Sequence, residues 1–362
     1  MAATNRIYSC DDHLDMNAIP PALWVDRVEA KYRDLVPHVV AHGDLQLWMV
    51  GDKITGVSGA YGEIETALDR EGLGEDPFRP SDPVSRMEDM ERDHIWASMV
   101  YGPGSLFSYG IEDPRIQTVA IRAWNDWAAE VFNAHMPDRL NAFPEIPSTT
   151  PEDAAEELER LAALGHRGAC FNGFEADIRD PAWDRLWAAA GEVGLPLSFH
   201  IGGGTTFDPR RRDWQIAGFA AVAPMQMDEI LATMVFSGAL ERHPKLRIVL
   251  AESGIGWLPY FVARMDATFD KHCVPHPERN MSTRPSELFH RQVYATFEEE
   301  PFGPELMPLL GADNFMWACD YPHPDSTWPN SEAAIEHALG KLGAETVRKV
   351  TADNCRDLYR LP

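Results

Sequence analysis

Short β-rich runs alternate with longer amphipathic stretches along this 362-residue chain, and that rhythm restricts its fold more than any other feature. The runs are Arg6–Asp12, Ala97–Tyr101, Leu140–Ile146, Gly168–Asn172, Pro196–Ile201, Leu246–Glu252, Gln292–Phe297 and Phe315–Asp320. Between them lie the amphipathic segments Val84–Asp93, Ile116–His135, Pro151–Leu164, Pro181–Val193, Met227–Glu241 and Trp257–Lys271. Asp113-Pro114, Thr150-Pro151 and Asp180-Pro181 mark helix entries, each setting a capping side chain before a proline in the first turn. Strands alternating with helices make parallel βαβ units. Repeated over this length, they predict an α/β fold of the (β/α)8, TIM-like barrel type rather than an open doubly wound sheet. No GxGxxG follows the first strand, and the glycines at 202–204 lack the dinucleotide-binding spacing. Residues from about 32 to 80 fit no βα pattern and are predicted to be an insertion after the first strand, covering the barrel mouth. Without internal repeats or linkers, residues 1–362 read as a single domain.

The formal net charge of −25 argues against nucleic acid and against an anionic membrane surface, since both need clustered Lys and Arg. The five cysteines are dispersed and never form a CxxC pair, so neither a disulfide framework nor a thiolate zinc site is expected. Cys10, Cys170 and Cys319 lie in apolar strand-like runs and read as buried thiols. The N-terminus has no apolar signal region, and no stretch of about 18 uncharged apolar residues is seen; a cytoplasmic location away from membranes is the expectation.

In such barrels the chemistry sits where strands end. The first run closes in CDDHLD, whose period-two alternation puts Asp11 and His13 on one side, with Asp15 following. The fifth ends in His200 before glycines, the sixth in Glu252, and the eighth in Asp320 followed by His323 within WACDYPHP. Gathered at one mouth, these ionisable groups would repel and desolvate one another unless a cation compensated them. A divalent metal site is therefore predicted, with Asp320 its last ligand and positioned to accept a proton from metal-bound water. Two imidazoles with several carboxylates suit zinc, manganese or iron. Arg210 and Arg211, in DPRRRDW, read equally as clamps for a substrate carboxylate or as a solvated loop. Trp328 is a candidate pocket wall, with packing under the rim as its alternative. Glu298, in FEEEP, is read as part of an exposed acidic loop, with a pocket-facing position as its alternative.

These residues resemble the amidohydrolase superfamily, in the branch that contains aminocarboxymuconate-semialdehyde decarboxylase and hydroxybenzoate-type decarboxylases. The resemblance covers nearly the whole chain and rests on CDDHLD, RMEDMERDHIWASMVYGP at 86–103, SFHIGGG, HPKLRIVLAESGIGWLPYFVARMD at 243–266 and WACDYPHPDSTWP. It implies a divalent metal held by Asp11, His13, His200 and Asp320, with Glu252, Asp15 and His323 as further candidate ligands. Two departures stand out: Asp11 occupies the first place of a pair that is often His-x-His, and Glu252 stands where the decarboxylases carry a catalytic histidine. Glu252 then serves as a general base on metal-bound water or as a bridge to a second metal. The resulting expectation is a metal-dependent hydrolase or lyase, cleaving C–N or C–C bonds (decarboxylation included) in a small organic acid or amide. Asp320 or Glu252 shuttles the proton and His323 orients the substrate. The alternatives are a dinuclear Mn/Fe or di-iron oxygen-dependent hydroxylase on the same barrel, and a non-catalytic metal-binding subunit of a hetero-oligomer. One or two zinc, manganese or iron ions per chain are expected, with a homodimer or a heterodimer with a homologous subunit.

Overall fold

A computed structural model describes residues 6–60, 65–103, 111, 113–202, 206–207, 213–276 and 281–362. The predicted runs appear as parallel strands. One sheet aligns Ile7–His13, Ile95–Tyr101 and Leu140–Ala142. A second runs in chain order through Glu145–Ile146, Ala169–Phe171, Leu197–His200, Ile248–Ala251, Val293–Phe297 and Phe315–Trp317. The expected third strand is interrupted at Phe143-Pro144, where proline has no N–H to give the ladder. Backbone bonds bridge that break: Phe143 N donates to Val100 O at 2.7 Å and Cys170 N to Pro144 O at 2.8 Å. At the opposite edge Asp320 N donates to Asp11 O (2.9 Å) and His13 N to Tyr321 O (2.7 Å), tying the first strand to the chain leaving the last.

The predicted helices form with small shifts, among them Pro83–Arg92, Pro114–Trp127, Pro151–Ala163, Asp184–Val193, Met227–Phe236 and Leu258–His272. Asp113, Thr150 and Asp180 cap as their Pro-preceding positions suggested, each side chain accepting a first-turn N–H. The helices bury apolar faces on the sheet, and Trp24, Trp48, Trp124, Trp187 and Trp317 are wholly enclosed. All five cysteines are buried and free.

Residues after the first strand contain an antiparallel three-stranded sheet, His38–His42, Leu45–Val50 and Lys53–Val57. Its two turns use Gly43 and Gly51 at φ of 62° and 54°, a region open mainly to glycine. Trp48 anchors this sheet edge-on to Trp24, ring centroids 5.5 Å apart. Further along, Gly59 N donates to Asn17 O (2.8 Å), Ala67 N to Pro322 O (3.3 Å) and Arg70 Nη1 to Pro324 O (2.8 Å). The segment thus touches the loops that leave the first and eighth strands.

By length and composition alone, Trp214–Phe236 is apolar enough to cross a membrane, with a mean hydropathy of 1.2. It carries Asp228 and Glu229 and changes to a tighter 3-10 turn at Ala223–Gln226. Its first part, Trp214–Val222, buries none of its residues.

Candidate metal centre

Asp11, His13, His200, Glu252 and Asp320 converge although their sequence positions span most of the chain. His13 Nε2 lies 3.4 Å from Asp11 Oδ1 and 3.0 Å from Asp320 Oδ1, and His200 Nε2 lies 3.4 Å from Asp11 Oδ1 and 3.2 Å from Glu252 Oε2. Two of these carboxylates are carried by non-glycine residues in the left-handed region, Glu252 at φ 52° and Asp320 at φ 61°. Such conformations are costly and persist where the surroundings enforce them.

Each donor is aimed from behind. Asp11 Oδ2 accepts from Glu252 N and from Thr296 Oγ1, both at 2.7 Å, which leaves Oδ1 turned toward the histidines. His200 Nδ1 sits 2.8 Å from Ile201 O, which occupies Nδ1–H and turns Nε2 toward the carboxylates. Beneath His13, a buried ion pair holds the strand end. Arg86 Nη2 is 3.1 Å from Asp12 Oδ2, and Arg86 Nη1 donates to His13 O at 3.3 Å. Asp12 is therefore structural: it also accepts from Ser9 Oγ and Ser98 Oγ.

Among the described residues of this cluster, four buried atoms have no hydrogen-bond partner: Asp11 Oδ1, His13 Nε2, His200 Nε2 and Asp320 Oδ1. Buried polar atoms are rarely left so. Asp11, His13 and His200 offer donor atoms within 4.8 Å of one another, and Asp320 does so with His13 and His323; carboxylate oxygens and imidazole nitrogens so gathered are a donor set that suits a divalent cation. The residues present fit such a metal. The electrostatics agree. Burial alone would lower His200, yet Asp11 and then Glu252 raise it to about 9. Burial pushes Glu252 up to about 7, with Asp320 and Asp11 adding to the rise and His200 and His13 opposing it. Asp320 is held well below the usual carboxylate range, because His323 and His13 outweigh its burial.

His323 lies beside the cluster. Its ring stacks on His13 with centroids 3.9 Å apart, its Nδ1 is 2.8 Å from Asp320 Oδ1, and its Nε2 is 3.0 Å from Asp15 Oδ2. Asp15 thus reaches the site through His323. Trp328 is buried, packs edge-on against Tyr321, and donates its indole N–H to Asp89 O at 2.9 Å. Arg210 and Arg211 lie outside the described residues.

Glu298 corrects the expectation of an exposed acidic loop, since its carboxylate oxygen groups with those of Glu252 and Asp320 within 4.8 Å. The signal was present in the strand period. Glu298 is two residues past Thr296, whose hydroxyl points at Asp11, and so falls on the same face. Its neighbour Glu300 serves the backbone instead, accepting from Ile255 N (2.8 Å) and Gly256 N (2.7 Å).

The sequence profile of the family described as Amidohydrolase matches residues 34–361. A gamma-resorcylate decarboxylase of Rhizobium sp. (strain MTP-10005) is 30% identical over 261 residues, covering 66% of this chain and 78% of that protein. Among solved structures, an amidohydrolase of Mycobacterium avium subsp. paratuberculosis K-10 superposes with a TM-score of 0.78 at 20% identity, over 99% of this chain and 98% of the other. A dihydroxybenzoic acid decarboxylase of Polaromonas sp. JS666, solved with manganese and the inhibitor 2-nitroresorcinol, gives 0.67 at 18% identity over 99% and 98%.

Proposed function

The chain belongs to the amidohydrolase family, and from that premise we propose that it is a divalent-metal-dependent lyase that releases carbon dioxide from a small hydroxylated aromatic acid. The convergence of four buried, unpartnered donor atoms carries the metal part of this reading. The decarboxylase relatives, one of them holding manganese, support the reaction and the substrate class.

Asp11, His13, His200 and Asp320 would hold the cation, which supplies Lewis acidity toward an anionic oxygen of the substrate. In the reaction the bond between ring carbon and carboxylate breaks, its electron pair stays on the ring carbon, and that carbon takes up a proton. Glu252 is the group to deliver it. Its side chain is 25% exposed, against 0% for Asp11 and 3% for Asp320, so it faces an incoming ligand and can be reprotonated from solvent. His323, fixed between Asp15 and Asp320, orients the substrate.

We also take the parallel strands as one closed barrel forming a single domain, supported by the Asp320–Asp11 and His13–Tyr321 backbone bonds. Residues from about 32 to 80 then cover its mouth, a reading supported by their bonds to Pro322 and Pro324. The exposed apolar helix Trp214–Val222 favours pairing with a second copy or a homologous subunit.

The test is manganese-reconstituted protein assayed against a panel of hydroxybenzoic acids. Expected are one carbon dioxide per acid consumed, no uptake of oxygen, and loss of turnover in chelator. Activity that survives complete metal removal would overturn the reading, as would oxygen consumption matched to product or hydrolysis of amides with every hydroxybenzoate untouched.

A further inference from the structure

The two imidazoles of the donor set stand on separately bonded sheets. His13 ends Ile7–His13 in the first, and His200 ends Leu197–His200 in the second. A cation that takes both nitrogens therefore depends on the spacing between the sheets. Backbone bonds join them along their edges, and across the interior Tyr101 Oη donates to Ser198 Oγ at 2.9 Å. Each end of that bond lies against a histidine of the set. Tyr101 pairs in register with His13 on the adjacent strand, and its ring centroid is 4.7 Å from that of His200. Ser198 is two residues before His200 on one strand and so shares its face.

Tyr101 is itself firmly seated. It is 2% exposed, Phe143 packs edge-on against its ring with centroids 5.1 Å apart, and Leu14 N donates to its carbonyl at 2.9 Å. The next residue, Gly102, lies so close to Trp124 that a Cβ there would meet the indole at 2.3 Å. Burial pushes the Tyr101 phenol well above its ordinary range, so it stays a hydrogen-bond donor. Ser198 is fully buried, and breaking the bond would leave a hydroxyl unpaired in a dry interior.

We propose that the Tyr101–Ser198 bond is a strut between the two sheets that sets the distance from His13 to His200, which makes Tyr101 a positioning residue of the metal centre. The inference rests on the ligand set assigned under the proposed function, in which both imidazoles hold one cation. Tyr101 offers no donor of its own, because its hydroxyl is turned to Ser198. It acts through the histidines, and its loss is read in metal affinity.

The experiment strips the full chain, Tyr101→Phe, Ser198→Ala and the double variant of metal, and measures manganese affinity by competition with a chelating dye. Losing a group that orients metal ligands typically costs 10–100-fold, so each single variant should bind manganese about tenfold more weakly. Both changes break one bond, so the double variant should match Ser198→Ala within about twofold. Met99→Ala removes volume from the same strand and the same buried cluster without taking part in the bond. It should melt at a lower temperature yet keep its manganese affinity within about twofold. A folded Tyr101→Phe protein with the parent's affinity overturns the proposal. So do losses that multiply in the double variant, or a Met99→Ala protein weakened as much as Tyr101→Phe. If the unaltered chain binds no manganese, the ligand assignment fails and the strut falls with it; if it binds manganese and the variants bind alike, the strut alone fails.

Discussion

Thr296→Val isolates what holds the metal centre in shape, because it removes one hydroxyl and preserves volume. Thr296 is completely buried, accepts from Glu252 N and donates to Asp11 Oδ2, both at 2.7 Å. A hydrogen bond to a charged acceptor contributes about 1.5–3 kcal/mol, so the metal-free variant should unfold more easily by roughly that amount. The larger consequence is orientation. Two bonds on Oδ2 keep Asp11 Oδ1 toward the histidines and the variant removes one of them; losing a group that orients a ligand typically costs 10–100-fold in metal affinity, equivalent to about 1.4–2.7 kcal/mol. Competition of each protein against a chelating dye for manganese measures the affinity, and urea unfolding of metal-free samples measures the stability. Thr296→Ser keeps the hydroxyl and should return the affinity to within about threefold. If Thr296→Val loses stability yet binds manganese within twofold of the parent, Asp11 is not an oriented ligand and the centre as drawn is wrong.

Metal affinity should rise with pH, because a cation must displace the proton that His200 holds with a pKa of about 9. Titrations at pH 6, 7 and 8 should show about a tenfold gain per unit, and a flat profile would contradict the ligand assignment. Glu145, 4% exposed, is pushed up to about 8, chiefly by burial. Its folded value exceeds its unfolded one, so its contribution is fully present below about pH 4.5 and is lost as pH rises toward 8. Glu145→Gln should therefore gain about 2–3 kcal/mol on the parent between pH 5 and pH 7 in denaturant melts, whereas parallel curves would refute this. Arg86→Met strands the buried Asp12 carboxylate and should cost about 3–5 kcal/mol, part of which Asp12→Asn in the same chain should return. A double variant no more stable than Arg86→Met alone would show that the pair is not what matters.

The sequence made the first layer of the site legible and hid the second, for a physical reason. Asp11, His13, His200, Glu252 and Asp320 stand at the carboxyl ends of strands, and strand ends can be found from local pattern alone. Their supports are long-range. Arg86 meets Asp12 across 74 positions and Thr296 meets Asp11 across 285, and neither residue type marks itself as a partner. Trp328 could be read as a pocket wall or as packing under the rim, and the partner to which it donates, Asp89 O, is 239 positions away. The insertion gave turn signals that a search for βα units passes over. His42-Gly43-Asp44 and Gly51-Asp52 are the glycine-containing hairpin turns of its antiparallel sheet.

Backbone conformation marks the same division. A strand that ended in ordinary extended geometry would carry its last side chain on outward along the strand. At Glu252, directly after Ala251, and at Asp320, three residues past Trp317, the chain instead turns left-handed, which folds both carboxylates back toward the histidines. The bonds from Glu252 N to Asp11 Oδ2 and from Asp320 N to Asp11 O stabilise those two turns, so Asp11 is at once a donor to the site and the acceptor that holds two other donors in place. Replacing Asp11 with asparagine should therefore disturb more than one coordination bond. The geometry of Glu252 depends on its carboxylate, while the backbone carbonyl that holds Asp320 is retained, and the loss of metal affinity should exceed that from Thr296→Val.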